Sequence, residues 1–168
     1  MKQLKTLLLA TALCLVTVSF TQAQSKVAHI NTQELIQAMP EMAAARAELE
    51  TLSKTYQTDM QAMGAEYQKK VTQYDQEAPT KTQEENAKRA AEIQGMEQNI
   101  RQFQGQAQQD LQKKEIDLLK PITEKAKTAI LKVSRAQGFD YVLDSAQGVT
   151  ILADGKNLLD DVKKELGI

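Results

Sequence analysis

MAAARAELETLSKTYQTDMQAMGAEYQKKVTQYDQEA, residues 42–78, is the stretch whose spacing decides the fold. Its apolar positions are Met42, Ala45, Leu49, Leu52, Tyr56, Met60, Met63, Tyr67, Val71, Tyr74 and Ala78. Ten steps over 36 residues average 3.6, the period of a nearly straight helix with one apolar stripe. At about 1.5 Å per residue the stripe runs on the order of 55 Å, beyond the usual globular helix. Pro79 ends it, and residues 80–83 (TKTQ) offer caps for a helix running back. The return stripe is Ile93, Met96, Ile100, Phe103, Ala107, Leu111 and Leu118.

The two stripes test each other. Facing residues of an antiparallel hairpin have numbers that sum to a constant. Met63 with Met96, Tyr56 with Phe103 and Leu52 with Ala107 each sum to 159. Tyr67 with Ile93, Met60 with Ile100, Leu49 with Leu111 and Met42 with Leu118 each sum to 160. A single register thus pairs almost every large apolar residue and centres the turn at Pro79. Unrelated helices would not share it. Gly64 faces Gly95 in the same register, and each costs roughly 1 kcal/mol relative to alanine. The spacing predicts close approach of the helices there, with a hinge as the other reading.

Working outward, residues 26–30 (KVAHI) predict a short strand. Asn31 and Glu34 then stand at capping-box spacing before a short helix, and Pro40 suits the first residue of the next. Pro121 predicts a break or a kink before an amphipathic stretch through Ile122, Ala126, Ala129, Ile130 and Val133, with Gly138 as its cap. Residues 139–144 (FDYVLD) and 148–153 (GVTILA) read as two strands, and Asn157 caps a last helix to about Leu166. The expected fold is α+β, mainly α: a long helical arm, residues 41–121 with its tip near 79, on a small body formed by 24–40 and 122–168. Short strands with open edges invite pairing with further copies.

Residues 1–23 read as a cleavable signal peptide, with Lys2 and Lys5, an apolar run from Leu7 to Phe20, and small residues before Gln24. Cys14 lies in that run after Leu13, where a lipoprotein needs a smaller residue. Cleavage removes the only cysteine and two lysines, leaving 19 basic against 22 acidic side chains, a net charge of −3. No disulfide or thiol chemistry remains to the mature chain. It keeps six aromatic residues and no tryptophan, too little for a large core by itself. An elongated oligomer is expected.

Chemistry-bearing constellations are missing. There is one histidine, His29, placed in a strand, and no glycine loop to cradle phosphate. Carboxylate pairs such as Glu84-Glu85 and Asp160-Asp161 read as solvated helix faces. The sequence calls for no enzyme, cofactor or metal. Residues 41–120 carry 14 acids and 11 bases, so the arm is no nucleic-acid surface. The stripe is softer than a two-stranded seam built on Leu, Ile and Val. Met60, Met63, Tyr67, Tyr74, Met96 and Phe103 pack in it, and such adaptable side chains also suit contact with varied partners. Eight glutamines lie between Gln94 and Gln112.

The order of elements resembles the Skp (OmpH-like) family of periplasmic chaperones. The residues that carry the likeness are 26–31 (KVAHIN), 138–144 (GFDYVLD), 148–154 (GVTILAD) and 157–166 (NLLDDVKKEL). The end segments are fairly specific, whereas the arm could belong to any long coiled coil. The resemblance implies a homotrimer with a shared strand body and arms enclosing a cavity, holding unfolded outer-membrane proteins in the periplasm without ATP. By carry-over, Val27, Ile30, Phe139, Tyr141, Val142, Leu143, Val149 and Ile151 would build that body. The arm departs from the basic arms common in the family, with five acids and five bases over residues 66–90, which gives no support to a lipopolysaccharide site. The alternative is a non-catalytic coiled-coil tether or assembly factor of the cell envelope.

Overall fold

A computed structural model describes residues 25–148 and 153–168. The signal-peptide reading and the strand positions Val149 and Ile151 lie outside the described residues. Elements follow the order β1 (Val27–Ile30), α1 (Thr32–Ala38), α2 (Pro40–Glu77), a 3-10 turn (Ala78–Thr80), α3 (Gln83–Ala136), β2 (Tyr141–Asp144), a second 3-10 turn (Ser145–Gln147), β3 (Lys156–Asn157) and α4 (Leu159–Leu166).

Local chemistry sets each boundary. The Asn31 side chain accepts the Glu34 N–H at 2.9 Å, opening α1, and Pro40 starts α2 where its missing N–H costs nothing. At the tip, Thr82 Oγ1 accepts the Glu85 N–H while Glu85 accepts the Thr82 N–H, a full capping box. Gly138, at φ +71°, closes α3: its N–H donates to the Arg135 carbonyl and the Phe139 N–H to the Ser134 carbonyl. That is the double bond of a Schellman cap. The cap of the final helix is Leu158, without a side-chain bond; Asn157, the expected cap, stands one residue earlier in β3, where its Oδ1 accepts the Leu159 N–H at 2.9 Å.

Two expectations change. Pro121 does not break the chain, because α3 runs unbroken for 54 residues with Pro121 inside it. Interior proline costs about 3 kcal/mol. On its far side, however, Ile122, Ala126, Ala129 and Val133 are buried against the body, and full burial of one large apolar side chain contributes about 1.5–3 kcal/mol. Burial wins. The second change concerns the glycines. A Cβ placed at Gly64 or Gly95 would meet nothing within 4 Å, so close approach of the helices does not account for them. We expect Gly64→Ala and Gly95→Ala each to stabilise the arm by about 0.5–1 kcal/mol, seen as a raised midpoint in thermal circular dichroism. An unchanged or lowered midpoint would show a need for glycine that the packing does not reveal.

The body is a three-stranded sheet in the order β2-β1-β3 with both pairings parallel. Ala28 and Ile30 turn inward onto Leu35, Met39, Ile122, Ala126, Leu158 and Val162, the core that α1, α3 and α4 close over. Asp144 fastens the far end of β2 to the start of α1, accepting from Thr32 N–H at 3.2 Å and from Thr32 Oγ1 at 2.7 Å. Burial pushes its carboxyl up, but the bonds from Thr32 and the Ala146 N–H outweigh this and hold it below the usual carboxylate range. Away from the body, α2 and α3 continue as an arm with no third layer over them among the described residues.

Candidate functional site

The arm can only half-bury its stripe, since two helices cover each other on one side alone. All eleven stripe positions from Met42 to Ala78 are at least half-buried, with Ala45 fully so, and on α3 Ala107, facing Leu52 in the register, is buried as well. Met60, Met63, Tyr67, Tyr74, Met96 and Phe103 each lie half-buried in this seam. The Tyr56 and Phe103 rings meet edge to face at 5.8 Å between centroids, a pair expected from the register.

Beside the apolar stripe runs a polar one. Tyr56 donates to Asp110 at 3.0 Å, Tyr67 to Glu97 at 2.7 Å, and Tyr74 to Glu92. Each tyrosine of the arm thus crosses to a carboxylate on the other helix. Asp110 raises the Tyr56 phenol above its ordinary value, and Glu97 does the same for Tyr67. Ion pairs cross as well: Lys70 with Glu92 at 2.6 Å, Glu48 with Lys114 at 2.5 Å, and Glu41 with Lys125. Nearest the tip, Arg89 bonds Glu77 and lies 4.6 Å from the Tyr74 ring centroid. Hydrogen bonding to Lys70 and Tyr74 lowers the Glu92 carboxyl, and Gln73 and Arg89 lower Glu77. These groups are partly exposed, and such pairs contribute little singly. In a row they fix the register that the soft stripe alone would leave loose.

The sequence reading missed this row for a geometric reason. In register, Tyr56, Tyr67 and Tyr74 face positions near 104, 93 and 86, yet they bond residues 110, 97 and 92. The offset is four to six residues, always toward the body. Helical side chains lean toward their own N-terminus. Tyrosines of α2 therefore lean toward the body, while the carboxylates of α3 lean toward the tip, and they meet between. The signal was an acid a turn or more beyond each facing position.

The body offers a second surface. On β1 and β2 the residues Val27, Tyr141 and Leu143 turn away from the core and are 44%, 60% and 46% exposed. His29 shares their side of the sheet in register with Leu143, and its Nδ1 is buried without a hydrogen-bond partner among the described residues. Of the carried-over body residues, three more are described and turn inward: Ile30 is buried in the protomer's own core, and Phe139 and Val142 pack half-buried against it. β2 is also an edge strand, open along its outer side within the sheet described.

Among the described residues, no group of three or more His, Cys, Asp or Glu side chains could hold a metal ion, and no helix is long and apolar enough to cross a membrane. The arrangement is suited to binding through surfaces.

Comparison with known proteins agrees with this shape. The family described as outer membrane protein (OmpH-like) matches residues 26–166. The chain is 26% identical over 145 residues to the chaperone protein Skp of Photorhabdus laumondii, covering 86% of this chain and 87% of that protein. It is 25% identical over 148 residues to the chaperone protein Skp of Pectobacterium atrosepticum, with the same coverage of 86% and 87%. Its fold is similar to the crystal structure of a putative outer membrane chaperone (OmpH-like) from Caulobacter crescentus, with a TM-score of 0.76 at 18% identity over 84% of this chain and 83% of that one.

Proposed function

Because the chain belongs to the OmpH-like outer membrane protein family, we propose that its mature form is a periplasmic chaperone that holds unfolded outer-membrane proteins between helical arms. It does so without catalysis, nucleotide or metal. The observation that carries the reading is the half-buried stripe of Met60, Met63, Tyr67, Tyr74, Met96 and Phe103, on an arm that no other described element covers. Flexible thioether and aromatic side chains contact varied sequences weakly. Many weak contacts retain an unfolded chain yet release it without an energy source, which a chaperone lacking nucleotide needs. The relatives named chaperone protein Skp support the same reading.

We further propose a homotrimer joined through the outward sheet face and the outer side of β2. Val27, Tyr141 and Leu143 are the contact residues, supported from within by Ile30, Phe139 and Val142. Exposed apolar side chains beside a strand edge with no partner among the described residues are an unstable surface for a lone protomer.

The test is light scattering on a sizing column, with the mature protein alone and then with a urea-unfolded outer-membrane barrel protein diluted in. The expected result is a trimer that keeps the barrel protein soluble in a complex of defined mass. Precipitation of the barrel protein beside an indifferent oligomer would refute the chaperone and favour the envelope tether.

A further inference from the structure

Midway along the arm, helices α2 and α3 leave a shallow groove of about 560 Å³ with an apolar floor that includes Met60, Ala107 and Leu111. Its rim carries four glutamines, Gln57 and Gln61 from α2 and Gln104 and Gln108 from α3. Each pair is spaced by four residues, which sets both amides on one face of their helix. No charged side chain lines the groove, in a chain of which 26% is charged. Residues 102–109 (QFQGQAQQ) form an uncharged run of eight beside it.

The four amides are also uncommitted. All are exposed, and none makes a side-chain hydrogen bond among the described residues. Two glutamines elsewhere on the arm behave differently. Gln106 donates to Asp110 at 2.9 Å and Gln73 to Glu77 at 2.9 Å, each spent on holding the arm together. Those at the groove hold nothing within the protomer.

We propose that this groove binds an extended, uncharged segment of an unfolded polypeptide, the apolar floor taking a side chain and the glutamine amides its free main-chain groups. The inference rests on the chaperone reading and places the client on the arm more narrowly than the stripe does. A primary amide has two donor hydrogens and an acceptor oxygen. Four of them, on both walls, answer an unpaired main-chain N–H or C=O in either chain direction. Recognition of that kind ignores sequence, since every residue but proline presents the same groups. A charged rim would instead select clients by charge. The neutral lining fits an uncharged segment, and an apolar floor without amides would leave the client's main chain dry and unpaired, at a cost.

The experiment compares two quadruple variants with the wild-type oligomer. Q57E/Q61E/Q104E/Q108E keeps size and helix propensity at the rim but removes the amide donors and adds charge. Q68E/Q76E/Q98E/Q102E makes the same change at exposed glutamines elsewhere on the arm. Helicity by circular dichroism and mass by light scattering establish folding and assembly. Affinity is measured by fluorescence titration with a labelled, urea-unfolded barrel protein. We expect about a tenfold loss for the rim variant, the scale of losing one or two net hydrogen bonds, and little change for the control. Replacing the rim residues with alanine should also weaken binding, without added charge.

Wild-type affinity in the rim variants would overturn the groove and leave the chaperone standing. Equal loss in rim and control variants would overturn it as well, by tracing the effect to net charge. A rim variant that loses its oligomeric mass would mean that a second copy of the chain occupies the groove. Failure of the wild type itself to bind would refute the chaperone reading, and the groove with it.

Discussion

Replacing residues 60–98 with a short glycine-asparagine turn is expected to abolish suppression of aggregation while leaving a folded oligomer. The body core of Ile30, Leu35, Met39, Ala126, Leu158 and Val162 lies entirely outside the deleted stretch. Three crossings also survive below the cut: Tyr56 to Asp110, Glu48 to Lys114 and Glu41 to Lys125. A shortened hairpin therefore keeps its register at the base. It loses Met60, Met63, Tyr67, Tyr74 and Met96, and with them most of the adaptable surface. Many weak contacts act together, so holding should fall to the level of buffer rather than by a modest factor. Turbidity of a diluted, urea-unfolded barrel protein reads the effect, with circular dichroism and light scattering as controls. Suppression that survives the deletion would move the client site to the body.

The second large effect is expected at the sheet face. Leu143→Asp should convert the assembly into single chains, seen by light scattering as a fall to the mass of one protomer. Leu143 points away from its own core and is 46% exposed, so the protomer has little to lose. In the proposed trimer the same position is buried between copies. The substitution removes about 1–2 kcal/mol of apolar burial and forces an unpaired carboxylate into the contact at several kcal/mol more. The sum, about 4 kcal/mol or more per interface, is roughly a thousandfold in association. A trimer that persists would place the contact elsewhere, most directly along the outer side of β2.

The arm was legible residue by residue. Asn31, Pro40, Thr82 within the expected stretch 80–83, and Gly138 stand at helix ends, because capping depends on groups within a few residues of one another, whereas Glu85, read as part of a solvated face, closes the capping box at the tip. The Tyr56–Phe103 contact follows from the register of two apolar stripes. The candidate site was legible only in part. Its stripe residues could be named from periodicity, yet the hydrogen bonds of Tyr56, Tyr67 and Tyr74 depend on the lean of side chains across two helices. The four groove glutamines were visible as composition, as part of a glutamine-rich flank. Only the packed helices showed which of them rim a groove and that Gln106 instead bonds Asp110.

Sequence by itself determined the hairpin, its turn at Pro79 and its helix ends, since helical period and capping are short-range and repeat many times over. The sheet was another matter. β2 falls within the expected strand 139–144, and residues 149–152 of the other expected strand lie outside the described residues. But the sheet also takes in Lys156–Asn157 as β3, which no sequence pattern marked, and β2 and β3 both lie parallel to β1, one on each side. That arrangement joins residues more than a hundred positions apart, and four-residue strands carry no pattern that names a distant partner. Tertiary structure alone likewise decided that Pro121 would remain within α3 and that Ile30 would serve its own protomer while Leu143 stayed open. In each case burial against a distant element, an energy of several kcal/mol that no local pattern encodes, outweighed the preference of the residue itself.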